Sequence, residues 1–370
     1  MKILYVDPYA GELLRGEKVA SGGASVDVSS YLRGFAEIDN IEPVLVTRVK
    51  DGIGKTNSVQ DIKIIQSLLL TSSPLVFVCK SIPLLYRTIK KEKPDIITMK
   101  CAGALTGILA LICRLLKTPF LYQVANDFEV DDRVKTKLKF FSYLLFKTAL
   151  KIATFIRCQN DYQYTKLKQL YPNKKIMKVH NACSFELNLS PEKTKEENII
   201  AWIGIIQDQK NLPALKEIAI RLPHLTFKIA GKVPPPEILS NKTRAAVSEL
   251  EELNNVMFLG HLERAHIKNL LDESKALICT SHFEGFPNIF LESWARGTPV
   301  ITFDWINPDL IITKYNLGKI AKDVEDLIKI LGIHCSEPIS IDYQKHLSSY
   351  VKNNHTGKIL AKDLLQLLLL

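Results

Sequence analysis

The chain has 370 residues, 46% hydrophobic and 24% charged, with a formal net charge of +10; at about 150 residues per domain this is two folded domains. That composition excludes a disordered, collagen-like or disulfide-built chain. The longest uncharged apolar run, Cys101 to Cys113, ends at Arg114, well short of the ~20 residues that cross a bilayer, so no transmembrane helix is expected.

The N-terminus, MKILYVDPYA, enters a β-branched apolar run and an acidic residue without the apolar core and cleavage site of a signal peptide, and a cytoplasmic protein is expected. Strand-like KILYVD (2–7) precedes a helical pattern at 26–38 and the strand PVLVTRV (43–49). DIITMK (95–100), a helical pattern at 104–116 and PFLYQVA (119–125) repeat the alternation, which predicts parallel sheet covered by helices on both faces. After residue 190 it restarts: NIIAWIG (198–204), a helix over about Leu212 to Arg221, TFKIAG (226–231), a helix around Thr243 to Leu253 and NVMFLG (255–260). A helix near Ala265 to Ser274, ALICTS (276–281), a further helix and PVITF (299–303) complete the second set. The polar, proline-containing run from Asn188 to Asn198 reads as a linker or a surface loop. This gives one α/β domain over 1–187, a second over 188–355 and an apolar helix over 356–370 that must pack on something, such as the first domain.

Seven widely spaced cysteines without a CxxC pair are expected to be buried thiols. Residues 1–190 carry 28 Lys+Arg against 17 Asp+Glu, a balance of +11, whereas residues 191–370 carry 21 against 22, a balance of −1. Such asymmetry is either a solvated basic face or points to an anionic partner of the first half: a membrane surface, a nucleic acid or an acidic small molecule. Residues 133–151 mix Arg133, Lys135, Lys137, Lys139, Lys147 and Lys151 with Phe140, Phe141, Tyr143, Leu144, Leu145 and Phe146. That mixture suits either an amphipathic helix on an anionic membrane or a core helix with solvated lysines. No nucleic-acid-reading motif accompanies the charge, and no nucleic-acid partner is expected.

The chemistry-bearing stretch follows the strand ALICT. Two carboxylates, Glu284 and Glu292, flank Gly285-Phe286-Pro287-Asn288, a tight turn leading into a helix whose first N–H groups, around Asn288 and Ile289, suit phosphate oxygens. At the C-terminal ends of parallel strands, where open α/β sheets bind ligands, both carboxylates can accept hydrogen bonds from sugar hydroxyls.

This segment, Ala276 to Ile301, resembles the E-x7-E signature of retaining glycosyltransferase family 4, and NVMFLGHL resembles the strand and loop that hold the nucleotide base. The resemblance implies a GT-B fold, α/β, with two doubly wound Rossmann-like domains and a cleft between them. It implies that Glu284 contacts the donor sugar and Glu292 the ribose, with Gly260 and His261 near the base. Gly204 to Lys210 resembles the family's G-R-x4-K element: Lys210 takes the position of the lysine that neutralises the donor diphosphate, but Ile205 stands where the family has arginine. Another cation such as Lys232 or Arg296 then substitutes, or activity is lowered. Ser21-Gly22-Gly23-Ala24 resembles the glycine-rich loop of the first lobe, where glycine permits close approach to a ligand. Asp127 either orients the acceptor hydroxyl or takes its proton, or else has a capping or turn role with Asn126. Asn307 to Ile311 lies at the position of a further cleft segment, and His180 at a turn between the lobes, where a structural role is expected.

The expectation is a retaining, metal-independent glycosyltransferase. It would move a hexose or related sugar from a UDP- or GDP-sugar to a hydroxyl of a glycan or lipid-linked acceptor in bacterial-type polysaccharide or glycolipid assembly, on the inner face of the membrane. No cofactor is implied, the nucleotide sugar being a substrate, and no metal, because Asp131-Asp132 is not an Asp-x-Asp motif. The alternative is a catalytically weak donor-binding subunit supporting a partner transferase. An epimerase or phosphorylase shares the architecture but lacks its other signatures here.

Overall fold

The computed structural model describes residues 1–17, 22–71, 73, 76–183, 185 and 198–369. The chain divides into two units, Met1–Ser184 with His355–Leu370, and Phe185–Asn354. Ser21 and most of the expected linker, 188–197, lie outside the described residues.

The first unit is built on β1 (Lys2–Val6), β2 (Glu42–Arg48), β3 (Thr56–Val59), β4 (Ile62–Leu68), β5 (Ile96–Lys100), β6 (Phe120–Gln123), β7 (Phe155–Cys158) and β8 (Lys175–Lys178), in the order β3-β4-β2-β1-β5-β6-β7-β8. All pairings are parallel except β3 with β4. That antiparallel edge departs from the purely parallel sheet expected. Gln60 and Asp61, both with φ near +50° to +60° (50° and 62°), make its two-residue turn without the Asn-Gly or Gly pattern that marks such turns in a sequence. Strands buried on both faces, such as Ile3 to Val6 and Val44 to Val46, form the core with helices on either side.

The C-terminal helix Gly357–Leu369 buries Leu360, Ala361, Leu364 and Leu365 against helix Gly23–Ala36 of this unit. Their backbones meet at Gly34 and Gly357, where no β-carbon has room. The second unit has β9 (Ile199–Ile203), β10 (Thr226–Ala230), β11 (Val256–Gly260), β12 (Ala276–Cys279), β13 (Val300–Phe303) and β14 (Gly318–Ala321), all parallel, in the order β11-β10-β9-β12-β13-β14. Its helix Leu212–Arg221 has the bounds expected from the periodicity, and Asn241–Glu251 and Arg264–Glu273 shift by one or two residues.

Both sheets are thus doubly wound, and no helix among the described residues is long and apolar enough to cross a membrane. The thiols at Cys113, Cys158, Cys183, Cys279 and Cys335 are buried, but Cys79 is exposed and Cys101 half-buried, against the expectation of seven buried thiols. Cys79 lies in the helical turn Phe77–Ser81, whose buried residue is Ser81, so its own side chain faces outward.

Candidate functional site

In the second unit the strand order reverses between β9 and β12, so the segments leaving these strands flank the crevice where open α/β sheets bind ligands. After β9, Gly204 begins a loop that ends in a single turn of 3-10 helix, Asp208–Lys210. Gly204 has a packing reason: a β-carbon there would press on Cε of Lys210 at 3.1 Å, so the lysine stem lies directly on the glycine backbone. After β12, Thr280 Oγ1 donates to the Lys210 carbonyl at 2.7 Å and accepts from Trp202 Nε1 at 3.1 Å. The Gln209 carbonyl accepts from His282 N at 2.8 Å, and Gln209 Nε2 donates to the Phe283 carbonyl at 2.7 Å. Four hydrogen bonds therefore fasten the two loops to one another and to the sheet.

The result of that fastening is a charged pair. Lys210 Nζ donates to Glu284 Oε1 at 2.6 Å, and Ser281 Oγ donates to the same oxygen at 2.8 Å. Burial works against the Lys210 charge, but the Glu284 carboxylate outweighs it and holds the ammonium above its ordinary value. Lys210 is therefore fully charged at neutral pH. Beneath it, burial raises the Cys279 thiol, which donates weakly to Ser281 Oγ at 3.4 Å.

Gly285, buried Phe286 and Pro287 lead into helix Asn288–Ala295, as the sequence predicts; Pro287 is its N-cap residue, and Phe290 N closes the first turn on the Pro287 carbonyl at 3.1 Å. Ile289 lies in that first turn and Glu292 one turn further in, buried, with Oε1 accepting from Arg264 Nη2 at 2.7 Å. Arg264 in turn lies over the Phe185 ring, 4.7 Å from its centroid. Gly260 ends β11 at φ +65°, a conformation that favours glycine, and presents exposed His261 at the same sheet edge.

Two residues proposed from the sequence to replace the missing arginine behave differently. Arg296 is buried in a bidentate pair with Asp272, at 2.6 and 3.0 Å, and is therefore committed to the core of this unit. Lys232 follows β10 with an exposed side chain, and its carbonyl accepts from Ile206 N at 3.1 Å, which puts it beside the Gly204–Lys210 loop. Ile205 itself is 47% exposed, unusual for a residue of its type at a loop tip.

Sequence reasoning missed Arg264 and Trp305. Trp305 follows β13, stacks on Phe303 at 4.4 Å and 10°, and donates from Nε1 to the Ser281 carbonyl at 3.0 Å while remaining half exposed. Its only signal in the sequence is a large aromatic directly after a buried strand. Beyond it, Asp309 and Leu310 both hold positive φ, 53° and 58°, an uncommon strain for non-glycine residues in the segment singled out at Asn307 to Ile311.

In the first unit the reversal falls between β1 and β5. Gly22 is the N-cap residue of helix Gly23–Ala36, and the same edge carries buried Asp7, which accepts from Tyr9 N at 2.8 Å, Ala10 N at 2.7 Å and Ser25 Oγ at 3.1 Å. Burial raises the Asp7 pKa despite those donors. Asp127 Oδ1 accepts from Asn160 Nδ2 at 3.0 Å and Gln163 Nε2 at 2.9 Å, tying its 3-10 turn to the start of helix Asp161–Leu170. Beneath this edge lies a buried trio: Asp27 Oδ2 accepts from Lys100 Nζ and, at 3.0 Å, from Arg157 Nη1, while Asp27 Oδ1 accepts from Ala182 N at 2.9 Å. Burial opposes the Asp27 charge, but the two cations outweigh it and hold the carboxyl below its ordinary value. The His180 carbonyl accepts from Tyr31 OH at 2.7 Å and Arg157 Nη2 at 2.5 Å, and its ring stacks on His355, so His180 is part of the scaffold.

Residues 186–331 match the family model of glycosyl transferases group 1. The chain is 25% identical over 268 residues, 67% of its own length and 67% of the relative's, to the UDP-Gal:alpha-D-GlcNAc-diphosphoundecaprenol alpha-1,3-galactosyltransferase of Escherichia coli. Among solved structures it is similar to sucrose-phosphate synthase from Thermosynechococcus elongatus (TM-score 0.75, 14% identity, covering 99% of this chain and 98% of that one). It is also similar to Anabaena HepE in complex with UDP-glucose (TM-score 0.71, 15% identity, covering 100% and 99%). At such identities these structures speak for the fold alone. The chain has the GT-B fold of two Rossmann-like domains, and the match to the model of glycosyl transferases group 1 falls within its second unit.

Proposed function

We propose that this chain is a retaining, metal-independent glycosyltransferase that moves a sugar from a nucleotide sugar to a hydroxyl of a glycan or lipid-linked glycan, in surface polysaccharide or glycolipid assembly on the inner face of the membrane. The observation that carries the reading is the Lys210–Glu284 pair at the point where the second sheet reverses its strand order, inside the segment matching glycosyl transferases group 1. In the reaction the bond between the anomeric carbon and the diphosphate oxygen breaks, and negative charge grows on the departing phosphate. Lys210, charged and held in place by Glu284, Gly204 and Thr280, is preorganised to stabilise that charge. Glu284 then accepts hydrogen bonds from donor-sugar hydroxyls, with the turn Gly285 to Pro287 leading to the backbone N–H groups around Asn288 and Ile289 that take the phosphates, and Glu292 on the ribose. Gly260 and His261 take the base; within the first unit, Gly22 and Gly23 form the loop that lets a ligand approach closely, and Asp127 orients or deprotonates the acceptor hydroxyl.

The relative from Escherichia coli makes UDP-galactose the first donor to try and a diphosphoundecaprenol-linked N-acetylglucosamine the first acceptor. The test is thermal stabilisation of the purified chain by UDP-, GDP-, CMP- and dTDP-sugars, followed by release of nucleoside diphosphate and the anomeric configuration of the product by NMR. A selective shift with turnover supports the reading; an inverted product removes retention; the absence of any shift removes the donor site.

A second reading, a donor-binding subunit that supports a partner transferase, is favoured by Ile205 at the arginine position. It predicts a thermal shift with donor and no turnover.

A further inference from the structure

Five exposed large apolar side chains of the first unit share one pair of helices, Ala104–Leu116 and Phe140–Ile152, whose backbones pack so closely that Gly107 has no room for a β-carbon against Leu145. Phe140 and Phe141, 69% and 77% exposed, open the second helix, with exposed Leu144 one turn on; Leu111 and Leu115 stand exposed on the first. Between residues 133 and 151 there are six cations and no acid. Arg133 pairs with Asp131 and Lys135 with Asp132, whereas Lys137 and Lys139 form no salt bridge among the described residues.

Local electrostatics does not account for this arrangement. Lys139 is the N-cap residue of helix Phe140–Ile152, where the positive end of the helix dipole repels a cation, whereas Lys137 closes the short helix Arg133–Lys137. Arg114, Lys117 and Lys151 do sit at helix C-termini, where cations are favoured, but they converge there on a cavity of about 500 Å3 shared by the two helix ends. A lysine held against the dipole beside two bare phenylalanines, with further cations and no acid in residues 133–151, answers to an external surface that is anionic and has an apolar interior.

We propose that this helix pair docks the chain on an anionic lipid bilayer, with Phe140, Phe141 and Leu144 entering the acyl boundary, Lys137 and Lys139 on the headgroups, and the Arg114–Lys117–Lys151 cavity seating a headgroup phosphate. The proposal extends the glycosyltransferase reading without depending on it: vesicle binding is measured with no nucleotide sugar present, and donor binding with no vesicles, so each fails separately.

The experiment is flotation of the full chain with phosphatidylcholine vesicles, with and without phosphatidylglycerol. Binding is expected only with phosphatidylglycerol and should weaken as salt rises. K137Q with K139Q should lower the partition coefficient by roughly fivefold per lysine, and F140S with F141S by about tenfold or more, while melting curves stay those of the parent chain. Independently of those variants, Phe141→Trp should show a blue-shifted emission on adding anionic vesicles. Equal binding to neutral vesicles, no binding to either, or an unshifted Trp emission overturns the proposal. So does a dimer in vesicle-free buffer that F140S with F141S abolishes, which assigns the face to a second copy of the chain.

Discussion

Lys210 and Glu284 are 74 residues apart in the chain, yet Lys210 Nζ and Glu284 Oε1 meet at 2.6 Å because β9 and β12 are neighbours in the sheet. Each partner positions the other, Glu284 holding the Lys210 ammonium above its ordinary value, and the loop hydrogen bonds around Thr280 and Gln209 fasten both. Lys210→Met keeps the stem that packs on Gly204 and removes only the charge. Turnover should fall by about 100- to 1,000-fold, the scale of a lost preorganised donor. Glu284→Gln should weaken donor binding by about 1.5–3 kcal/mol, read as a smaller thermal shift at fixed nucleotide sugar. Turnover should be unchanged by EDTA, since the leaving-group charge is assigned to Lys210; loss of activity restored by a divalent cation would remove that assignment.

Ile205→Arg returns a cation to the loop that carries Lys210. Its side chain is exposed, so the substitution creates no buried charge. Donor affinity should rise by about tenfold, the order of one charge-assisted hydrogen bond. If affinity rises and the parent chain already turns over, Lys232 or Lys210 alone suffices for the reaction. If turnover appears only in the variant, the natural chain is the donor-binding subunit.

Among the described residues, Asp27 is the one acid hydrogen-bonded to both Lys100 and Arg157. Asp27→Asn leaves two buried cations without their counter-charge and should destabilise the chain by about 3–5 kcal/mol. The chemical-denaturation midpoint of the first unit should drop accordingly; an unchanged midpoint would mean that water or another acid compensates.

His355 opens the segment that returns the chain to the first unit, its carbonyl accepting from Cys183 N at 2.8 Å. Burial, with the neighbouring His180 ring, lowers its pKa from 6.5 to about 3. The unfolded chain therefore takes up a proton near pH 6.5 that the folded chain refuses until about pH 3. Stability should fall as pH drops through this window, by up to about 1.4 kcal/mol per pH unit, and this contribution should be flat above it. His355→Gln should show a shallower acid slope than the parent in urea titrations between neutral pH and pH 4; parallel slopes would refute the assignment.

Much of the molecule was legible in its sequence, because helices and buried strands are local patterns of period 3.6 and 2. Helix Leu212–Arg221 and the turn from Gly285 into the helix at Asn288 stand where the periodicity and the proline put them. What the sequence left undecided was which side chains meet. That Glu292 is held by Arg264, that Arg296 is paired with Asp272, and that Trp305 braces the Ser281 carbonyl are meetings of segments apart in the chain, made once the strands of the second sheet are aligned. The antiparallel edge of β3 and β4 depended on a turn at Gln60-Asp61 that has no glycine to announce it. Residue types and spacing determined the fold class and the stretch that carries chemistry. Pairing across distant segments, whose free energy exists only once the strands are aligned, was decided by the tertiary structure.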